Sequence, residues 1–141
     1  MKIEVTHAPS EEEISAIYDG LVEYNVPYFP GLKERKIACL IRSEAGSIVG
    51  GLCGVIIFSS LHINYLWLSG SIRSAGYGRD LLATVEAEAA RIGVENSFLD
   101  TYSFQAPGFY EKSGYREVGR FSNYPKEGVD KIFYTKKINR V

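Results

Sequence analysis

The sequence is poor in the residues that several kinds of function require. Its 141 residues include only two cysteines, two histidines and one tryptophan. Cys39 and Cys53 sit in separate apolar runs, and two thiols fall short of the disulfide framework of a small secreted domain. Buried free thiols are the expected state. His7 and His62 are far apart and neither belongs to a ligand-spaced cluster, so no metal site is expected. There is no excess of positive charge: 16 Lys and Arg face 17 Asp and Glu. That balance argues against a nucleic-acid partner or an anionic membrane surface. No apolar run is long enough to span a bilayer, and Met1-Lys2-Ile3-Glu4-Val5 reads as a strand rather than a leader. The expected location is cytoplasmic. Repeats, low-complexity tracts and linkers are also missing, which leaves one domain over residues 1–141 as the expectation.

What is present is a regular alternation of elements. Lys2 to Thr6 alternates and predicts a first strand. Ser10 with Glu13 three residues later is a capping-box signature, and Glu11, Glu12 and Glu13 place negative charge in a first helical turn. Ile14, Ile17, Tyr18, Leu21 and Val22 follow at helical spacing and predict a buried stripe on a helix from Ser10 to about Tyr24. Asn25 to Gly31 is a loop by its prolines and glycine. Its aromatic content, with Tyr24 beside it, fits either a lid over a small-molecule site or ordinary packing. Strands are predicted at Ile37–Arg42, Ser47–Phe58, Leu61–Leu68, Ser97–Thr101, Tyr115–Phe121 and Lys131–Lys137. Gly50, Gly51 and Gly54 inside the second of these suggest a bulge or close backbone approach. Leu81, Leu82, Val85, Ala89 and Ile92 form the stripe of a helix that Gly93 ends, and Pro107 opens a short helix over Ala106–Ser113. A further turn is allowed near Leu32 to Arg35. The order is that of an α+β fold: a mixed sheet of about seven strands with helices on both faces.

The stretch Trp67 to Gly93 organises the rest. An apolar strand breaks into a loop with Gly70, Gly76 and Gly78 and leads directly into an amphipathic helix. The first N–H groups of a helix lack intrahelical partners and carry partial positive charge, and glycine lets the backbone approach an anion. Arg73 and Arg79 bracket the turn with full positive charges. The Walker A pattern fails, because Gly78 is followed by Arg79 and Asp80. The dinucleotide fingerprint fails as well, because no glycine stands at Leu81. What remains is Arg73-Ser74-Ala75-Gly76-Tyr77-Gly78, either a phosphate loop of another kind or a tight turn that needs two glycines.

R-x-x-G-x-G at Arg73–Gly78 resembles the acetyl-CoA pyrophosphate loop of the GNAT superfamily of N-acetyltransferases. About thirty residues on, Ala106-Pro107-Gly108-Phe109-Tyr110-Glu111-Lys112-Ser113-Gly114-Tyr115 resembles the signature of that family's fourth helix. The resemblance covers most of the chain and is nearest to small bacterial acetyltransferases. It implies a central sheet whose fourth and fifth strands splay around the pantetheine arm, here Tyr65–Ser69 and Phe98–Thr101. It places acetyl-CoA, a co-substrate used without metal, on Leu68, Ser69, Arg73, Ser74, Ala75, Gly76, Tyr77, Gly78 and Arg79. Ser103 stands where many relatives contact the cofactor through Asn.

The implied reaction is direct attack of a primary amine, on a small molecule or a peptide, upon the thioester. Tyr110 would be general acid to the departing thiolate, or else simply pack in its helix. Tyr24, Asn25, Tyr28, Phe29 and Tyr65 are the candidate acceptor contacts. Tyr65, His62, Tyr102 or Glu23 are candidates to hold a water chain to a base, because Ser69-Gly70 stands where many relatives carry acidic residues. That departure leaves room for a non-catalytic acyl-CoA-binding or sensor module on the same fold. The resemblance also allows a homodimer through the C-terminal strands.

Overall fold

The computed structural model describes residues 1–138. The chain divides into two compact units, Met1–Leu32 and Lys33–Val141.

The first unit holds one helix, α1 (Glu11–Asn25). Its capping box forms as the spacing predicts: the Glu13 N–H donates to Ser10 Oγ at 3.0 Å, and the Ser10 N–H donates to Glu13 Oε1 at 2.9 Å. Two expectations fail here. Residues 2–6 form no strand; Ile3 and Val5 are 98% and 86% exposed, and no ladder partner satisfies their backbone. Nor is the stripe Ile14, Ile17, Tyr18, Leu21 and Val22 buried, for α1 has no buried residue. A helix with a short turn in a unit of this size has no second layer of its own to cover an apolar face.

The second unit is a six-stranded mixed sheet rather than one of about seven strands. Its elements are β1 (Glu34–Arg42), β2 (Ile48–Ile57), β3 (Ser60–Leu68), α2 (Tyr77–Arg91), β4 (Asn96–Tyr102), α3 (Pro107–Lys112), β5 (Arg116–Phe121) and β6 (Lys131–Lys137). A single 3₁₀ turn, Gly70–Ile72, lies between β3 and α2. The strand order is β1-β2-β3-β4-β6-β5, antiparallel except for the parallel pair β3 and β4 that the α2 crossover joins.

Period-two alternation in the strands sets the core. Leu52 and Ile56 of β2, Leu61 and Ile63 of β3, Leu99 of β4, and Ile132 and Tyr134 of β6 all turn to one face. There they meet Leu81, Leu82, Val85 and Ala89 of α2. Phe109 and Tyr110 of α3 pack against the same core. Within this unit, then, α2 and α3 share one face of the sheet, and each large aliphatic buried there contributes about 1.5–3 kcal/mol. Cys39 and Cys53 are free thiols, as expected, but half-buried rather than buried. Cys53 pairs with Ala38, so the two thiols point to opposite faces of the sheet.

The two halves of the sheet are joined loosely, and the cause is local. Cys53 pairs with Tyr65 while Gly54 pairs with Ile63, so Asn64 is the extra residue of a β-bulge. Gly54 permits this approach, since a Cβ there would collide with the His62 carbonyl oxygen. A bulge bends its strand and increases its twist. Parallel pairing of β3 with β4 runs from Ser60–Asn96 to His62–Phe98 and stops just before the bulge. Beyond it, β3 continues to Leu68 and β4 to Tyr102.

Candidate active site

Between these two strand ends lies a cleft of about 1040 Å³. Its walls are β3 from Ile63 to Leu68 and β4 from Leu99 to Thr101. The α2 start and the Phe104–Ala106 turn, with Phe109 and Tyr110, complete its lining. The loop that enters α2 is shaped by backbone conformation. Ser74 has φ +66° and Gly76 φ +86°, both left-handed, and Gly76 is the N-cap. No side chain caps α2, in contrast to the reciprocal box on α1. The first intrahelical bond runs from the Asp80 N–H to the Gly76 carbonyl at 3.1 Å, so the N–H groups of Tyr77, Gly78 and Arg79 precede the ladder.

Arg73, Ser74, Gly76, Gly78 and Arg79 line the cleft. Arg73 is held by its Nε, which donates to the Leu68 carbonyl oxygen at 3.0 Å. Arg79 is exposed and lies 3.8 Å from its neighbour Asp80. Gly78 is buried for a packing reason: a Cβ there would lie 3.3 Å from Phe109 Cζ, so the glycine seats α3 against the start of α2.

Other predicted contacts are placed differently. Leu68 lines the cleft, but its carbonyl already accepts from Arg73, and the Ser69 N–H is taken by the Val49 carbonyl at 2.8 Å. Ser69, Ala75 and Tyr77 are not among the lining residues. Ser103 is likewise outside the lining. Its Oγ accepts from the Asp130 N–H at 3.0 Å, and its N–H donates to the Asp130 carbonyl at 2.8 Å. The hydroxyl therefore ties the β5–β6 connection to the end of β4 instead of facing the cleft. His62 stacks on Phe98 with ring centroids 4.2 Å apart, and Tyr102 stacks on Phe104 at 5.5 Å. Tyr65 does line the cleft. Tyr24, Asn25, Tyr28 and Phe29 belong to the unit Met1–Leu32, where the Tyr24 and Tyr28 rings stack and the Asn25 carbonyl accepts from the N–H groups of Tyr28 and Phe29.

The family model of the acetyltransferase (GNAT) family matches residues 5–115. The chain belongs to the GNAT family of acetyltransferases. Its relatives include blasticidin-S acetyltransferase of Streptomyces morookaense, 41% identical over 83 residues; that match spans 58% of this chain and 61% of the relative. Acetyltransferase Atu2258 of Agrobacterium fabrum is 30% identical over 119 residues, 84% of this chain and 87% of that protein. Among solved structures, an acetyltransferase from Bacillus cereus superposes with a TM-score of 0.86 at 34% identity, covering 95% of this chain and 97% of that one. Enzymes of the GNAT family draw their acetyl group from acetyl-CoA. Among the described residues no helix of this GNAT chain is long and apolar enough to cross a membrane.

Three tyrosines of this GNAT domain cluster under the cleft, and they differ in what their hydroxyls do. Tyr115 OH bonds Ser97 Oγ at 2.8 Å and Glu86 Oε2 at 3.0 Å, in a network that Lys136 Nζ closes on Glu86 Oε1 at 2.6 Å. Tyr134 OH donates to Glu111 Oε2 at 3.0 Å. Tyr110, edge-on to both Phe109 and Tyr115, has no hydrogen-bond partner for its hydroxyl among the described residues, and it alone of the three lines the cleft. Burial raises its phenol above the ordinary value, so it stays protonated at neutral pH and can donate.

Sequence reasoning missed Gln105 and Asp100. Gln105 Oε1 accepts from Thr101 Oγ1 at 2.7 Å and from the Tyr102 N–H at 2.9 Å, which fixes the end of the β4 wall. Asp100 is the one carboxylate among the lining residues. Strand alternation puts it opposite buried Leu99 and Thr101, but only the parting of β3 from β4 makes that position a cleft wall.

Proposed function

We propose that this chain is an acetyl-CoA-dependent N-acetyltransferase that moves the acetyl group to a primary amine by direct attack, with Tyr110 as general acid. The observation that carries this reading is a single cleft lined by an uncapped helix start, two arginines and Tyr110, whose hydroxyl is free among the described residues. The N–H groups from Ser74 to Arg79, with Arg73, suit the pyrophosphate of CoA. The gap between the ends of β3 and β4 suits the pantetheine arm, and a backbone N–H of the β3 edge can polarise the thioester carbonyl.

In the reaction the amine nitrogen forms a bond to the acetyl carbon, the carbon–sulfur bond breaks, and Tyr110 gives its proton to the leaving sulfur. An alkyl amine of ordinary pKa is only about one part in a thousand neutral near pH 7, so the site must also take a proton from it or bind it where its pKa falls. Because Ser69-Gly70 supplies no carboxylate before the loop, a non-catalytic acyl-CoA-binding module is the second reading.

The test is isothermal titration with acetyl-CoA and, separately, ATP. Thiol release is then followed over a panel of amines: polyamines, amino acids, peptide N-termini and, for the sake of the Streptomyces relative, blasticidin S. Acetyl-CoA binding without ATP binding, followed by amine-dependent thiol release, is expected. Binding without turnover on any amine gives the second reading, and a folded sample that ignores acetyl-CoA overturns both.

A further inference from the structure

We propose that Asp100 is the acceptor-anchoring carboxylate of the cleft, and that the site selects amines carrying a second positive charge. This deepens the acetyltransferase reading and rests on it. Tyr110 and the α2 start belong to the core face, the side on which α2 and α3 pack. Asp100 alternates to the opposite face, between buried Leu99 and buried Thr101, and pairs across the ladder with Phe133. Tyr65 and Trp67 of β3, 74% and 51% exposed, lie across the cleft from it. A thioester held between the strands is then reached by an acceptor arriving from the Asp100 side.

The carboxylate is poised for a cation. No hydrogen bond reaches it among the described residues, and its side chain is exposed on the cleft wall. Its nearest charge is Lys131, whose Nζ stays 3.7 Å from Oδ1, beyond hydrogen-bond reach. That same Nζ sits 5.5 Å from the Tyr124 ring centroid and 5.9 Å from that of Phe133, within the distance at which ring faces attract cations. An ammonium beside Asp100 would find a carboxylate with free lone pairs and the Tyr65 and Trp67 rings, where charge-assisted bonds are stronger than neutral ones. A neutral alkyl tail would find none of this and would leave the carboxylate with only its long contact to Lys131.

The test compares 1,4-diaminobutane with butylamine, which differ by the second ammonium, in wild type, Asp100→Asn and Lys131→Met. Acetyl-CoA titration of each variant is the control on fold and cofactor site. Wild type should favour the diamine in kcat/KM by at least tenfold. Asp100→Asn should abolish the preference, chiefly by raising KM for the diamine, with acetyl-CoA affinity unchanged. Lys131→Met should keep or enlarge it. Equal use of both amines by wild type, or a preference that survives Asp100→Asn, overturns the proposal. So does failure of a protein that binds acetyl-CoA to acetylate either amine. Loss of acetyl-CoA binding in wild type itself would instead remove the acetyltransferase reading beneath it.

Discussion

Arg73 Nε donates to the Leu68 carbonyl oxygen at 3.0 Å, which anchors the guanidinium to the last residue of the strand that walls the cleft. One N–H is used for position, and the two terminal nitrogens remain for an anion. Arg73→Ala should therefore weaken acetyl-CoA binding by about tenfold to a hundredfold, the worth of hydrogen bonds to a charged group. Arg73→Lys should recover only part of this, because an ammonium cannot bridge a carbonyl and a phosphate in a fixed fork. Titration calorimetry at constant salt reads both, and undiminished affinity in the alanine variant removes Arg73 from the pyrophosphate site.

Ser103 separates two roles that its place in the sequence leaves together. Its hydroxyl accepts from the Asp130 N–H, and Asp130 in turn accepts from the Asn123 N–H at 3.2 Å and from Arg120 Nη1 at 3.0 Å. Ser103→Ala should cost about 1 kcal/mol of stability, the net worth of one hydrogen bond, with acetyl-CoA affinity unchanged. Urea unfolding and calorimetry on the same preparation check this. Weaker cofactor binding at full stability would return the hydroxyl to the cleft.

Tyr110→Phe removes the one uncommitted hydroxyl of the tyrosine cluster and leaves the ring packing intact. Turnover should fall by about a hundredfold or more, the range for a lost general acid, with little change in acetyl-CoA binding. Because burial raises this phenol above 10, the wild-type alkaline limb that reports its deprotonation should lie above pH 10. A variant with full activity across pH, or a wild-type limb below that value, sinks the assignment.

What the sequence makes legible is what local chemistry decides. The Ser10–Glu13 capping box, the alternation of the six sheet strands and the Gly93 stop each depend on residues a few positions apart, and each forms where predicted. The same locality explains the failures. Residues 2–6 alternate well, but alternation cannot supply a ladder partner. The α1 stripe has helical spacing, but spacing cannot supply a second layer. The bulge at Asn64 arises from a Gly54–His62 approach across two strands, and from it follows the cleft that gives Asp100 its setting. The use of Ser103 depends on Asp130, 27 residues away. Two motifs name Tyr110 and Arg73 as candidates, but which of three neighbouring tyrosines keeps a free hydroxyl is a fact of packing alone.

Tyr115 and Tyr134 make stability depend on alkaline pH. Burial is the largest cause in both; it holds the Tyr115 phenol well above its ordinary range and pushes Tyr134 up to about 12, with the hydrogen bond to Glu111 adding to the latter. An unfolded tyrosine ionises near 10, so above that pH the unfolded chain has released protons that the folded chain retains. The stabilisation is complete below pH 10 and falls as pH rises toward 12, by about 1.4 kcal/mol per pH unit for each such phenol. Tyr134→Phe should lose about 1 kcal/mol near pH 7, through the bond to Glu111, but should show a shallower decline above pH 10 than wild type. Urea unfolding between pH 8 and about pH 11.5, read as the difference between the two proteins so that other titrating groups cancel, measures this. Parallel curves above pH 10 would show that Tyr134 ionises as freely in the fold as in the open chain.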